Sequence, residues 1–215
     1  MRLIGKIVWW LGMAGFAVVV LAIVFGPDTS QDREAEGSRS AQAISTPAAP
    51  RPPTDAERAA AAMPSSQQAF VRIVAAARAA YSAAPNDMAK GATRTTRGSD
   101  ICRAMPSRAV ANWTGTIDLL SSNSDGKGVL RIEIARDVTV GTWNNALSDV
   151  GDRTLLDPGD PVARAAMVMQ RRQAVRFSGT FFRGDPDCFR ESSITQSGSM
   201  TDPVFIFRFS ELSLL

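Results

Sequence analysis

Residues 110–134, VANWTGTIDLLSSNSDGKGVLRIEI, decide the fold because apolar and polar residues alternate along them. This alternation with period two is typical of strands that have one buried face. Asp125-Gly126 separates the two alternating runs, and this dipeptide is typical of a hairpin turn. The stretch therefore predicts two antiparallel strands whose core side carries Trp113, Ile117, Leu130 and Ile132.

More short alternating or apolar runs follow toward the carboxyl end. They predict strands over 138–143, 175–181, 190–196 and 205–209, with a short helix over 162–170. Three strands, a short helix and further strands follow one another in the order of the OB-fold. We therefore predict a mainly-β fold, an OB-like Greek-key barrel of five to six strands with a short helix between strands three and four.

The chain before the barrel divides into three segments by composition. Thr54 and Glu57 fit a capping box, which predicts a short helix there. Apolar residues at helical spacing then predict an amphipathic helix from Ser65 to about Ala84. The predicted organisation is a transmembrane anchor over 1–26, a flexible linker with a short helix over 27–64, the amphipathic helix and its connection over 65–100, and the OB-like domain over 101–215.

Residues 7–25 carry no charge and are almost all apolar. At about 1.5 Å per residue, a helix of that length spans the hydrocarbon core of a bilayer. Arg2 and Lys6 precede the segment, which predicts a cytoplasmic amino terminus and a periplasmic domain. A cleaved signal peptide is the alternative, but Gly26-Pro27 makes a poor cleavage site.

Small or slender side chains recur along one face of this predicted helix. Such a face lets transmembrane helices approach closely. The alternative is a lone anchor with ordinary membrane glycines. The face would be formed by Gly12, Gly15, Val19 and Ala22.

The absence of histidine excludes whole classes of chemistry. No Ser–His–Asp triad, Cys–His pair or imidazole metal ligand can form. The two cysteines, Cys102 and Cys188, lie in the part assigned to an oxidising compartment, so a disulfide is predicted. Two unpaired buried thiols are the alternative.

The net charge of +3 does not indicate a nucleic-acid-binding domain. Residues 101–215 carry equal numbers of basic and acidic side chains, and the excess of positive charge lies within 51–100. Affinity for nucleic acid depends on clustered Lys and Arg, so this partner is not expected. An enzyme is not expected either, because the carboxylates available as a pair, Asp118 and Glu133, are both predicted to face solvent.

One loop concentrates oxygen ligands that a hard cation such as calcium accepts. The same residue types are also common in turns, where they bond to nearby backbone groups. Both interpretations stay open for this tentative ligand loop. Its residues are Asn144, Asn145, Asp149 and Asp152.

Three short motifs carry a resemblance to a known group of domains. Trp113-Thr114-Gly115, Phe177-Ser178-Gly179 and the segment from Ser192 to Phe209 resemble OB-fold-like domains of uncharacterised bacterial membrane-anchored proteins. These domains are grouped loosely with the tRNA-anticodon-binding-like superfamily. The resemblance covers about half of the chain and implies a fold, whereas function does not follow from so widely shared a fold.

The expected function is a single-pass binding or assembly module of the bacterial inner membrane. Residues 7–25 would contact the lipid bilayer, and another membrane protein is the expected partner, as for an accessory subunit of an inner-membrane complex. The alternative is a periplasmic module that binds a small molecule, a cell-wall fragment or a divalent ion. No cofactor, catalytic residue or metal ligand is assigned.

Overall fold

The computed structural model describes residues 51–215. The predicted anchor, its small-residue face (Gly12, Gly15, Val19 and Ala22) and the first part of the predicted linker lie outside the described residues. Within residues 51–215, no helix is both long and apolar enough to cross a bilayer.

Five helices and seven strands make up the described part of the chain. The helices are α1 (Asp55–Ala61), α2 (Ser65–Ala83), α3 (Asp87–Ala104), α4 (Pro161–Ala166) and α5 (Gln196–Thr201). The strands are β1 (Ala109–Ser122), β2 (Gly128–Ala135), β3 (Val138–Gly141), β4 (Ala174–Phe181), β5 (Arg183–Gly184), β6 (Cys188–Phe189) and β7 (Val204–Leu214).

Five of the strands form a mixed sheet closed into a ring in the order β1-β2-β3-β7-β4. The long strand β1 closes the ring because its two sides pair antiparallel with β2 and with β4. Strands β3 and β7 run parallel, and β7 also pairs antiparallel with β4. The short strands β5 and β6 form a separate hairpin.

Aromatic side chains fill the interior of the ring and the end that faces α2. Phe70 of α2 is fully buried and lies between 5.0 and 6.1 Å, centroid to centroid, from four aromatic rings. Those rings belong to Trp113, Phe181, Phe189 and Phe205. Helix α2 therefore covers one end of the ring and contributes to its core.

A buried amide also joins α2 to strand β1. Gln67 donates a hydrogen bond to the carbonyl of Thr114 at 2.6 Å and accepts one from its backbone N–H at 2.8 Å. The Thr114 hydroxyl donates to the carbonyl of Ala59 in α1 at 2.7 Å. In the alternating pattern Thr114 lies on the opposite side of β1 from Trp113, but α1 and α2 cover that side and bury it.

Helix α1 begins at the predicted capping box. The Thr54 hydroxyl accepts from the backbone N–H of Glu57, and the Glu57 carboxylate accepts from the N–H of Thr54. Hydrogen bonds from Arg51 and Thr54 lower the pKa of Glu57 to about 2. The carboxylate is thus ionised at neutral pH, where it also suits the positive end of the helix dipole.

The structure corrects two parts of the prediction. A third helix, α3, occupies residues predicted as a connection, and it crosses the boundary predicted at residue 101. The strand predicted over 190–196 is absent: Glu191 forms an isolated bridge to Phe205, and α5 begins at Gln196. The strand that completes the ring is β7, and 183–189 forms a small hairpin before it.

Helix α3 was not predicted because apolar residues do not recur regularly along it. It packs on the segment before β6 through a glycine and not through an apolar face. A methyl group at Gly98 would lie 1.9 Å from the carbonyl oxygen of Pro186. Backbone therefore packs directly on backbone where α3 meets the segment before β6. Gly91, seven residues earlier on the same helix, has no such neighbour, and its nearest atom would be 3.8 Å away.

These two glycines make a matched pair of substitutions. We expect Gly98→Ala to lower the free energy of unfolding by about 2 kcal/mol or more, because the backbone must move apart. We expect Gly91→Ala to raise it by about 0.5–1 kcal/mol, because alanine favours the helix. Chemical denaturation of both variants checks this. A Gly98→Ala variant as stable as Gly91→Ala would contradict the close approach.

Candidate functional site

The predicted cysteine pair is confirmed at bonding distance. The sulfur atoms of Cys102 and Cys188 are 1.99 Å apart, and the bond joins the end of α3 to β6 across 86 residues of sequence. In the chain-entropy model, closing a loop of that length stabilises the fold by about 4–5 kcal/mol.

A buried arginine lies near this covalent link. Arg97 of α3 is 1% exposed, and its guanidinium donates to the Asp187 carboxylate at 2.5 Å and to the Ser199 carbonyl at 2.6 Å. Asp187 is itself 2% exposed. The guanidinium also lies 5.6 Å from the ring centroid of Phe205. One side chain therefore connects α3, the residue before β6, and α5 to the aromatic core.

A second arginine extends this network toward solvent. Arg94 donates to the Asp187 carboxylate at 2.6 Å and lies 3.4 Å from a carboxylate oxygen of Glu191. Hydrogen bonding to Asp187 raises the pKa of Arg94 above its ordinary value. We call Arg94, Arg97, Asp187, Glu191 and Ser199, with the adjacent disulfide, the α3 clamp. Its two carboxylates balance its two cations, so it is organised as a structural joint.

The α3 clamp holds α3 beside α2, and a groove of about 610 Å³ lies between the two helices. A volume of this size is typical of sites that receive a ligand or a partner's side chains. Small side chains dominate its walls. They are Ala69, Ala76, Ala77, Ala80, Ala92, Thr93 and Thr96, with Ile73, Arg72, Arg97 and Asp100 completing the lining.

The charged residues of the α2–α3 groove are not equally neutralised. Asp100 accepts a hydrogen bond from Arg103 at 2.9 Å, and Arg97 is paired with Asp187. Arg72 forms no salt bridge with any residue among 51–215. The buried Nε of Arg97 also has no acceptor there. The groove is therefore apolar with an excess of hydrogen-bond donors and positive charge.

The tentative ligand loop uses its oxygen atoms to hold its own fold. Both carboxylate oxygens of Asp149 accept bonds from Thr154 and Leu155, and Asn145 accepts from the N–H of Ser148. The Asn144 side-chain oxygen accepts from the Asn145 amide. These contacts are the ones that the turn interpretation predicts.

Asp152, the fourth residue of that loop, is engaged with the ring. Its carboxylate accepts from the indole N–H of Trp143 at 2.8 Å and from Arg190 at 2.6 Å. Its carbonyl accepts from Arg208 of β7. The described residues contain no cluster of three or more His, Cys, Asp or Glu that could hold a metal ion.

The remaining candidate carboxylates, Asp118 and Glu133, lie on the neighbouring strands β1 and β2. Glu133 accepts from the N–H of Asp137, whereas Asp118 lies 3.8 Å from Arg171, so each carboxylate has its own partner.

The chain matches no protein-family model, and the comparison with curated proteins found no related sequence.

Sequence reasoning missed both the α3 clamp and the groove. An arginine at helical spacing normally indicates a solvated face, and nothing near Arg97 in sequence indicates the carboxylate that it meets 90 residues later. The groove depends on the placement of α3, a helix that the sequence did not predict. The alanine run of α2, residues 75–80, was the available signal, because a solvated helix usually carries more charge.

The α3 clamp predicts a large difference between two aspartates. Asp187→Ala leaves the Arg97 cation buried without an anion, so we expect a loss of about 3–5 kcal/mol in the free energy of unfolding. Asp100→Ala removes the exposed pair with Arg103, whose side chain is 76% exposed, and should cost at most about 1 kcal/mol. Chemical denaturation distinguishes the two. Equal small losses would show that Arg97 does not depend on Asp187.

Proposed function

We propose that this chain is a single-pass membrane-anchored assembly module, an accessory subunit of a bacterial inner-membrane complex. The α2–α3 groove is the observation that carries the proposal. Its alanine walls let a second helix approach closely, and its apolar surface has no covering element among residues 51–215. The proposed occupant is a helix of another membrane protein, with large apolar side chains and a carboxylate facing Arg72.

The proposed domain architecture is an OB-like barrel with a helical layer. The strand order β1-β2-β3-β7-β4, the parallel pairing of β3 with β7, and a helix between β3 and β4 support it. A closed ring leaves few free strand edges, so pairing by strand addition is disfavoured. The helical layer is then the natural place for a partner.

The proposed location is the periplasmic side of the inner membrane. The apolar segment 7–25 with basic residues before it supports a retained anchor. The Cys102–Cys188 pair supports an oxidising compartment, because disulfides rarely persist in the cytosol. In this proposal the anchor fixes the position of the domain, and the α2–α3 groove selects the partner.

Two alanines on α2 test the partner surface. Ala76 lines the groove and Ala79 does not, and both are exposed. The tagged full chain is purified from its own membranes in mild detergent, and its partners are quantified by native mass spectrometry. Ala76→Glu should reduce the bound partner about tenfold or more, because the carboxylate is forced into an apolar contact.

The matched variant Ala79→Glu should retain the partner, and both variants should unfold at the same temperature as the wild type. A solitary monomer with wild-type sequence, or equal retention by the two variants, would contradict the proposal.

A further inference from the structure

The turn after α4 presents two adjacent apolar side chains to solvent. Met167 is 64% exposed and Val168 is 82% exposed. Large apolar residues that are exposed together are a feature of interaction surfaces. We call residues 164–172, which contain this pair, the α4 tip.

The α4 tip is an ordered structure tied to strand β1. The backbone N–H of Arg172 donates to the carbonyl of Ile117 at 2.8 Å, and the Nε of Arg171 donates to the carbonyl of Asp118 at 2.6 Å. The N–H of Met169 closes the turn on Ala166 at 3.1 Å. The tip is therefore held in one conformation, with the apolar pair at its end.

An apolar cleft of about 270 Å³ continues this surface below the tip. It lies between the β1–β2 hairpin and α4. Its walls include Leu120, Leu130, Leu156, Ala163, Met167 and Met169. The cleft therefore extends the apolar surface beyond the side chains of Met167 and Val168.

Three arginines, Arg164, Arg171 and Arg172, lie within the α4 tip. Residues 161–184 contain five arginines and no carboxylate. The neighbouring Asp118 and Asp157 already pair with Arg171 and Lys127. The Arg164 guanidinium donates to the carbonyl of Gly159, before α4, whereas Arg172 forms no salt bridge within the described residues. Asp160, the residue before α4, lies about 10 Å from Met167 by helix rise.

We propose that the α4 tip is a membrane-contact element that binds the anionic surface of the bilayer in which the chain is anchored. Met167 and Val168 enter the interface between headgroups and acyl chains, and Arg172 contacts a lipid phosphate. Each arginine near an anionic surface strengthens the contact about fivefold.

This inference rests on the proposed membrane anchor. The predicted linker covers 27–64, of which 28 residues precede α1, and a flexible chain of that length has a root-mean-square span of about 26–32 Å. A tether of that span raises the local concentration of lipid around the domain. The α4 tip can therefore stay bound to the membrane of the anchored chain even when its own affinity for lipid is too low for binding without the anchor.

The test compares hydrogen exchange of the full chain in two kinds of nanodisc. One contains phosphatidylcholine alone, and the other contains equal amounts of phosphatidylcholine and phosphatidylglycerol. We expect amides within 164–172 to exchange about fivefold more slowly in the anionic discs, and amides of the β2–β3 region to be unchanged. Equal rates in the two discs would overturn the proposal.

Three variants assign the effect to named side chains. Met167→Ser with Val168→Ser, and separately Arg172→Gln, should abolish the difference between the discs. Leu147→Ser with Val150→Ser is the control, since these residues are 86% and 78% exposed but lie outside the tip. A control that removes the difference equally well would also overturn the proposal.

The experiment gives a different result if the proposed membrane anchor is wrong. A chain that lacks a membrane anchor does not co-purify with nanodiscs at all, whatever their lipid. A chain that is incorporated, but whose tip exchanges at the same rate in both discs, retains the anchor and refutes the membrane contact.

Discussion

The structure depends on a cation that has no access to water. Arg97 is 1% exposed, and a buried cation without a partner is costly, so Asp187 must be brought to it. Asp187 adjoins Cys188, whose disulfide to Cys102 ties the same segment to the end of α3. Gly98 lets the backbone of Pro186 approach α3 between these two links. The covalent bond, the ion pair and the glycine thus impose one position on α3.

The position of α3 determines much of what surrounds the ring. Helix α3 is fixed to the segment before β6, and the α2–α3 groove lies between it and α2. Helix α2 is fixed in turn from the other side by Phe70 in the aromatic core and by Gln67 on strand β1. The groove therefore has rigid walls. A preorganised surface loses less conformational entropy when a partner binds, which favours a role in assembly.

The sequence predicted strands and helices where a local pattern of side chains is enough to determine the structure. Alternation around Trp113 and Ile132 gave strands β1 and β2, and the Thr54–Glu57 pair gave the start of α1. Prediction from the sequence was wrong where contacts between residues far apart in the chain determine the structure. Helix α3 has polar residues and glycines because a hydrogen-bonded arginine and a backbone contact hold it, so apolar periodicity is weak. The Asn and Asp residues of loop 144–152 fit both a ligand site and a turn, and only three-dimensional contacts show how their oxygens are used.

The state of the two cysteines in intact cells tests both the α3 clamp and the proposed location. The α3 clamp requires Cys102 and Cys188 to be bonded, and the proposed location supplies the oxidising compartment in which that bond persists. Cells are quenched with acid, and denatured protein is treated with a large maleimide reagent with and without prior reduction. We expect no labelled thiol before reduction and two after it. Two thiols labelled without reduction would contradict both the bond and the compartment.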